Sequence, residues 1–131
     1  MRLLLDTNIL IPMVDGNGRS LPADMLSVLQ SDYVELWASA ASVWEVAIKH
    51  RLRKLPLPCP LPEWPPLVKS LNITMMPVRI AHAIAAPEPP LKTNDPFDRL
   101  LIAICGVEKM QLVTLDKALI DHPLACRPAS A

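Results

Sequence analysis

Along the chain, hydrophobic and polar positions alternate between two textures. Residues 2–6 (RLLLD) form a short continuous apolar run that ends on an acid, as expected of a strand covered on both faces. A helix is predicted from Ser20 or Leu21, with Pro22 in its first turn and residues 23–30 as its body. Residues 34–38 (VELWA) read as a strand, and Ser39 then caps a long helix reaching about Lys54. One or two helical turns are expected over 64–71, a strand over 73–78 with Pro77 at its end, and a short helix over 79–86. Pro87, Pro89 and Pro90 stop that helix and open a loop to Asn94. Residues 95–110 carry the clearest helical pattern in the chain. A strand over 111–115, a turn or two over 117–122 and a last strand over 124–127 complete the reading.

Strands and helices in alternation imply an α/β fold with a mostly parallel sheet of about five strands. No internal repeat and no low-complexity tail interrupts it, and residues 1–131 are expected to form a single domain. Residues 55–66 hold six prolines. Pro62-Glu63-Trp64-Pro65 fits a PxxP ligand, but a stiff connection between helices is the ordinary reading.

Composition narrows the function. Thirteen Lys and Arg balance thirteen Asp and Glu, so any nucleic-acid contact must use a local patch. Three glycines among 131 residues leave no room for GxGxxG or GxxxxGK[ST] phosphate loops. Aromatics make up 4% of the chain, which argues against extended base-stacking surfaces. Cys59, Cys105 and Cys126 are far apart, lack a CxxC pair and read as buried free thiols. His50, His82 and His122 have no metal-binding spacing. The run Leu3-Leu4-Leu5 is cut by Asp6 and Asn8, too short for a signal or a membrane span, so a cytoplasmic protein is expected.

The chemistry lies in four carboxylates at positions where a carboxylate is expensive. Asp6 ends the first strand, and in an open parallel sheet ligands bind beyond the carboxyl ends of strands; a turn cap is the plainer alternative. Ala41, Glu45, Ile48 and Leu52 fall at helical spacing, which sets Glu45 in an apolar stripe. The alternative for Glu45 is an i, i+4 pair with Lys49, worth a few tenths of a kcal/mol. Trp44 beside it reads as core. Asp95 and Pro96 fit the N-cap and first position of the next helix, which puts Asp98 on a face with Leu101, Ile102 and Cys105. Asp116 follows the strand over 111–115, with Thr114 two residues earlier on the same face. If the sheet gathers these acids, they repel one another unless a divalent cation intervenes. An all-oxygen set selects Mg²⁺, with Mn²⁺ as a substitute, and suits metal-assisted phosphodiester hydrolysis.

Four stretches carry a resemblance: LLLDTNILI (3–11), ASAASVWEVAIKHRLRKLPLP (38–58), NDPFDRLLIAICG (94–106) and LVTLDKALIDHP (112–123). Together the chain resembles the PIN-domain ribonucleases, and among them the VapC-like toxins of type II toxin–antitoxin pairs. The resemblance implies a three-layer sandwich and a Mg²⁺-dependent endoribonuclease. Asp6, Glu45, Asp98 and Asp116 match its catalytic acids, with Asp6 and Asp98 the principal metal ligands. Thr7, Asn8, Asp95 and Thr114 match supporting positions. It also implies an antitoxin partner, an RNA substrate and a homodimer. Two departures stand out: Arg53 where the family often has Gly, and Thr93-Asn94 where a His is common. Lys49, Arg51, Arg53 and Lys54 form a basic run suited to RNA or a partner, or else an ordinary solvated helix end. Two alternatives are a non-catalytic PIN-fold interaction module and a haloacid-dehalogenase-type phosphatase. The phosphatase chemistry wants an Asp where Asn8 stands.

Overall fold

The computed structural model describes residues 1–127; the last four residues of the expected 1–131 domain lie outside it. Four strands pair in parallel: β1 (Arg2–Leu5), β2 (Glu35–Ser39), β3 (Ile73–Met76) and β4 (Gln111–Val113), in the spatial order β3-β2-β1-β4. Six α-helices connect them: α1 (Thr7–Val14), α2 (Ala23–Leu29), α3 (Ala40–Arg51), α4 (Trp64–Ser70), α5 (Ile80–Ile84) and α6 (Pro96–Glu108). The fifth strand expected over 124–127 contracts to a single parallel bridge between Leu112 and Ala125. Leu112 donates its N–H to the Leu124 carbonyl at 2.8 Å and accepts from Cys126 N–H at 2.8 Å. Turns at residues 116–124 bring the chain back beside β4, leaving one residue in register.

The three leucines of β1 show why the fold has three layers. Leu3 and Leu5 point to one face and Leu4 to the other, as the two-residue period of a strand requires. Leu3 and Leu5 join Ile9, Leu10 and Val14 of α1, Met25 and Leu29 of α2, Val46 of α3 and Trp64 and Val68 of α4. Leu4 joins Met76, Leu112 and Leu119 with Leu101, Ile102, Ile104 and Cys105 of α6. All three leucines are fully buried. The strands therefore lack polar alternation because neither face sees water.

The chain steps from β1 to β2 to β3 in one direction, then returns to place β4 on the far side of β1. This reversal makes the carboxyl ends of β1 and β4 a topological switch point, where a crevice opens. Asp6 follows β1 there, and its N–H bonds the Val113 carbonyl at 2.9 Å, joining the two strand ends.

Several local expectations need correction. Helix α1 has no counterpart in the sequence reading, because Pro12 lies inside it and proline normally interrupts a helix. Asp6 initiates it, accepting from Thr7 N–H with its side chain and from Ile9 and Leu10 with its carbonyl. Helix α3 stops at Arg51 rather than Lys54. The PxxP segment is not displayed, since Trp64 is completely buried at the start of α4. Cys105 is buried, whereas Cys59 and Cys126 are only half-buried. Among the described residues, no helix is long and apolar enough to cross a membrane.

The turn after α3 explains one departure from the family pattern. Arg53 has φ of 57°, the left-handed region that glycine enters without strain. Its N–H bonds the His50 carbonyl at 3.0 Å, and Lys54 N–H bonds the Lys49 carbonyl at 2.9 Å, closing the helix. A side chain at such a position costs roughly 1–2 kcal/mol, partly offset by the chain entropy that glycine adds to the unfolded state. Arg53→Gly is therefore expected to raise the unfolding free energy by roughly 0.5–1 kcal/mol. Urea titration checks this, and an unchanged or lower midpoint would refute the strain argument.

Candidate active site

Asp6 anchors the crevice between the ends of β1 and β4. It is 6% exposed, and both carboxylate oxygens accept hydrogen bonds. Oδ1 accepts from Thr7 N–H at 2.7 Å, and Oδ2 accepts from the Thr114 hydroxyl at 2.6 Å. The Thr114 oxygen in turn accepts from Asp116 N–H at 3.0 Å. Because β4 ends at Val113, Thr114 to Asp116 form a turn rather than continued strand, yet the hydroxyl still links the two acidic positions. Asn8 Oδ1 accepts from Leu115 N–H at 3.3 Å, fastening that turn to α1. Asp116 also caps the following turn, accepting from Ala118 N–H at 2.9 Å.

Helix α3 brings Glu45 to the same crevice. Thr7 donates its hydroxyl to Glu45 Oε1 at 2.7 Å, and Lys49 donates to Oε2 at 2.8 Å. The two sequence alternatives for Glu45 thus hold together: it faces Thr7 at the crevice and makes the i, i+4 pair as well. The apolar stripe proposed for it is not the buried one. Helix α3 buries Ala41, Ser42, Val46 and Ala47, while Leu52 lies past its end and is exposed. Glu45 occupies the margin of the buried face, where a carboxylate reaches the crevice without entering the core. Trp44 is corrected too: it is 62% exposed and meets Phe97 edge to face, ring centroids 5.6 Å apart.

Helix α6 contributes the remaining acids. Asp95 is its N-cap, accepting from Phe97 N–H at 2.8 Å and Asp98 N–H at 3.4 Å. Thr93, at one of the departures from the family pattern, accepts from Asp95 N–H at 3.1 Å and so shapes this cap. Asp98 faces inward with Leu101, Ile102 and Cys105 and is 9% exposed. Its carboxylate accepts no hydrogen bond from any described residue. Burial, then repulsion from Asp95, Asp116, Asp6 and Glu45, pushes it up to about 7. Asp6 is raised as well, chiefly by burial, with the Thr114 and Thr7 bonds opposing the rise and Glu45 and Asp116 adding to it. Burial, with the negative Asp6 nearby, lifts the Cys105 thiol to about 12, which keeps it protonated and inert.

Asp6, Glu45, Asp95, Asp98 and Asp116 therefore share one electrostatic environment contributed by β1, α3, α6 and the turn after β4. Among the described residues, no three carboxylates, histidines or cysteines close into a ligand cage. The arrangement suits a cation that keeps much of its water, as Mg²⁺ does, held directly by one or two carboxylates. Asp98 fits such a cation best, being buried, without a hydrogen-bond donor among the described residues and repelled by the acids around it. Of the basic run, Lys49 reaches the site through Glu45. Arg51, Arg53 and Lys54 are exposed beyond it and pair with no acid among the described residues. A cleft of about 480 Å³ lies at the opposite, amino-terminal ends of the strands, lined by Met1, Val34, Gln111 and Cys126 among others, and holds none of these acids.

Asp98 also makes the metal-free protein sensitive to pH. Its ordinary value is 3.8, so between there and about 7 the folded chain holds a proton that the unfolded chain releases. The stability associated with that proton is present below the lower value and lost as pH rises through the upper one. Asp98→Asn, which cannot ionise, is expected to raise the melting temperature in EDTA by an amount that grows from about pH 4 to about pH 8. Thermal scans across that range check it. A gain independent of pH would separate Asp98 from the acidic cluster.

A family model for the PIN domain matches residues 3–123. Among solved structures, a toxin–antitoxin complex from Klebsiella pneumoniae matches with a TM-score of 0.63 at 18% identity, covering 96% of this chain and 97% of that one. At that identity the likeness is one of fold. No curated protein sequence matches.

Proposed function

The chain belongs to the PIN-domain family, whose members are generally nucleases, and from that premise we propose that it is a Mg²⁺-dependent endoribonuclease acting as the toxin of a type II toxin–antitoxin pair. The observation that carries the catalytic reading is the carboxylate of Asp98, buried without a donor in the same acidic cluster as Asp6. Two such acids held together repel one another, and a cation between them would relieve that cost.

In this reading Asp6 and Asp98 bind Mg²⁺, with Mn²⁺ as a substitute. When bound, the ion polarises the phosphodiester and makes a water more acidic. Thr7 and Thr114 fix the Asp6 carboxylate in one orientation, and Asn8 holds the turn that carries Thr114 and Asp116. Glu45 or Asp116 accepts a proton from the attacking water and orients it in line with the leaving 3′ oxygen. The new bond joins water oxygen to phosphorus, the phosphorus–O3′ bond breaks, and the leaving O3′ takes a proton from solvent water. The products are a 5′-phosphate and a 3′-hydroxyl. Asp95 caps α6 and adds negative charge at the rim.

The toxin assignment draws on the toxin–antitoxin likeness and on the family pattern across residues 3–123. A toxin needs an inhibitor, and a cluster of unneutralised acids is a natural target for an antitoxin arginine, which satisfies two carboxylate oxygens at once. A cytoplasmic homodimer of one PIN-like domain over 1–131, with RNA backbone held by Lys49, Arg51, Arg53 and Lys54, completes the proposal.

Two experiments test it. Cleavage of single-stranded RNA in Mg²⁺ is expected to stop with EDTA and to fall at least about 100-fold in Asp6→Asn and Asp98→Asn. Activity intact in Asp98→Asn but lost in Asp95→Asn would exchange the roles of those two acids. For the partner, calorimetry with the antitoxin is expected to show weaker binding to Glu45→Gln and competition by Mg²⁺. Affinity indifferent to both would place the antitoxin away from the crevice.

A further inference from the structure

The chain has five aromatic residues, and two of them stand together at the rim of the acidic crevice. Trp44 directly precedes Glu45 on α3, and Phe97 directly precedes Asp98 on α6. Their rings meet at 62°, an edge-to-face contact that fixes the indole and cannot cover both of its faces. Trp44 remains 62% exposed, while Trp37 and Trp64 each bury the indole nitrogen. A large rigid ring left open to water beside a reactive centre is an unusual use of the side chain most able to bury apolar surface.

The electrostatics around it leave a task for such a ring. Five carboxylates surround the crevice, and among the described residues the one cation paired with any of them, Lys49, is bound to Glu45. The net charge is zero. Attraction for a phosphate backbone is therefore weak at the point where a phosphodiester must be held. Stacking on an aromatic face needs no positive charge and works with any base. It does need an unpaired base, because a duplex keeps its base faces covered.

Building on the nuclease reading, we infer that Trp44, braced by Phe97, is a stacking platform for one unpaired base of the RNA next to the phosphodiester at the acids. The platform selects single-stranded or looped substrate and sets which bond reaches the crevice. Phe97 is a positioning residue that holds the indole in place.

The test is binding of a fluorescent single-stranded oligoribonucleotide, and of its duplex, in Mg²⁺. The full chain carries Asp6→Asn so that the probe survives. Adding Trp44→Ala is expected to weaken single-strand binding roughly 5- to 150-fold, while Trp44→Phe keeps most of it and duplex binding stays unchanged. An abasic site scanned along the strand is expected to reproduce the loss at one position and to remove the sensitivity to Trp44→Ala there. Equal single-strand affinity with and without Trp44→Ala overturns the platform, as does an equal loss for duplex and single strand. So does a Trp44→Ala effect confined to binding of a protein partner. The nuclease reading fails separately: the chain with Asp6 intact would leave RNA uncut in Mg²⁺ while the Trp44-dependent binding persisted.

Discussion

Carboxylates removed from water and set against one another are costly, and the fold is arranged around that cost. Two groups ease the burial of the Asp6 carboxylate, the Thr7 amide and the Thr114 hydroxyl, while its backbone N–H bonds the Val113 carbonyl. Those contacts weld the end of β1 to the end of β4 and start α1. Asp98 has no such relief, and burial together with repulsion from the neighbouring acids pushes its carboxyl up to about 7. The asymmetry is informative. One acid is fastened by hydrogen bonds, and its neighbour is held by packing alone.

Rigidity comes from the layers beneath. Leu3, Leu4 and Leu5 alternate between two hydrophobic clusters, so β1 is gripped from both sides just before it delivers Asp6. Leu101, Ile102 and Cys105 anchor α6 in one of these clusters just after Asp98. Burial of each leucine contributes roughly 1.5–3 kcal/mol, and the many leucines and isoleucines beneath the crevice together outweigh its few polar contacts. The apolar core therefore sets the positions of the acids, and the hydrogen bonds only orient them.

Much of this was legible from local pattern. Apolar runs ending on acids located β1 and the turn after β4, and Asp95-Pro96 located the start of α6, because a cap and an N1 proline have few other uses. Legibility failed where tertiary context overruled local preference. Pro12 hid α1, a helix held by its Asp6 cap and by Ile9, Leu10 and Val14 against the core. The helical stripe through Leu52 misplaced Glu45 by a fraction of a turn, since α3 ends before Leu52 and buries small residues instead. Trp44 read as core from its size alone. Only the packing of α3 against α6 shows that its ring lies outside, against Phe97. Low aromatic content argued against stacking surfaces, and that inference counted rings without knowing where they stand.

Neutral net charge and an acidic crevice together constrain how a polyanion could be handled. With no net charge, long-range attraction for a polyanion is weak, and its recognition would fall to short-range contacts. Lys49 illustrates the compromise. By closing on Glu45 it tempers the repulsion among the acids, but it is then less available to a phosphate. Arg51, Arg53 and Lys54 continue the basic run away from the crevice, where they could hold backbone without neutralising the acids. The two charges are separated in space, acids at the strand ends and cations at and past the end of α3, an arrangement in which a centre for a cation and a flank for phosphate would not interfere. An exposed aromatic ring beside the acids, Trp44 against Phe97, would complete such a division of labour, since stacking is indifferent to both charges.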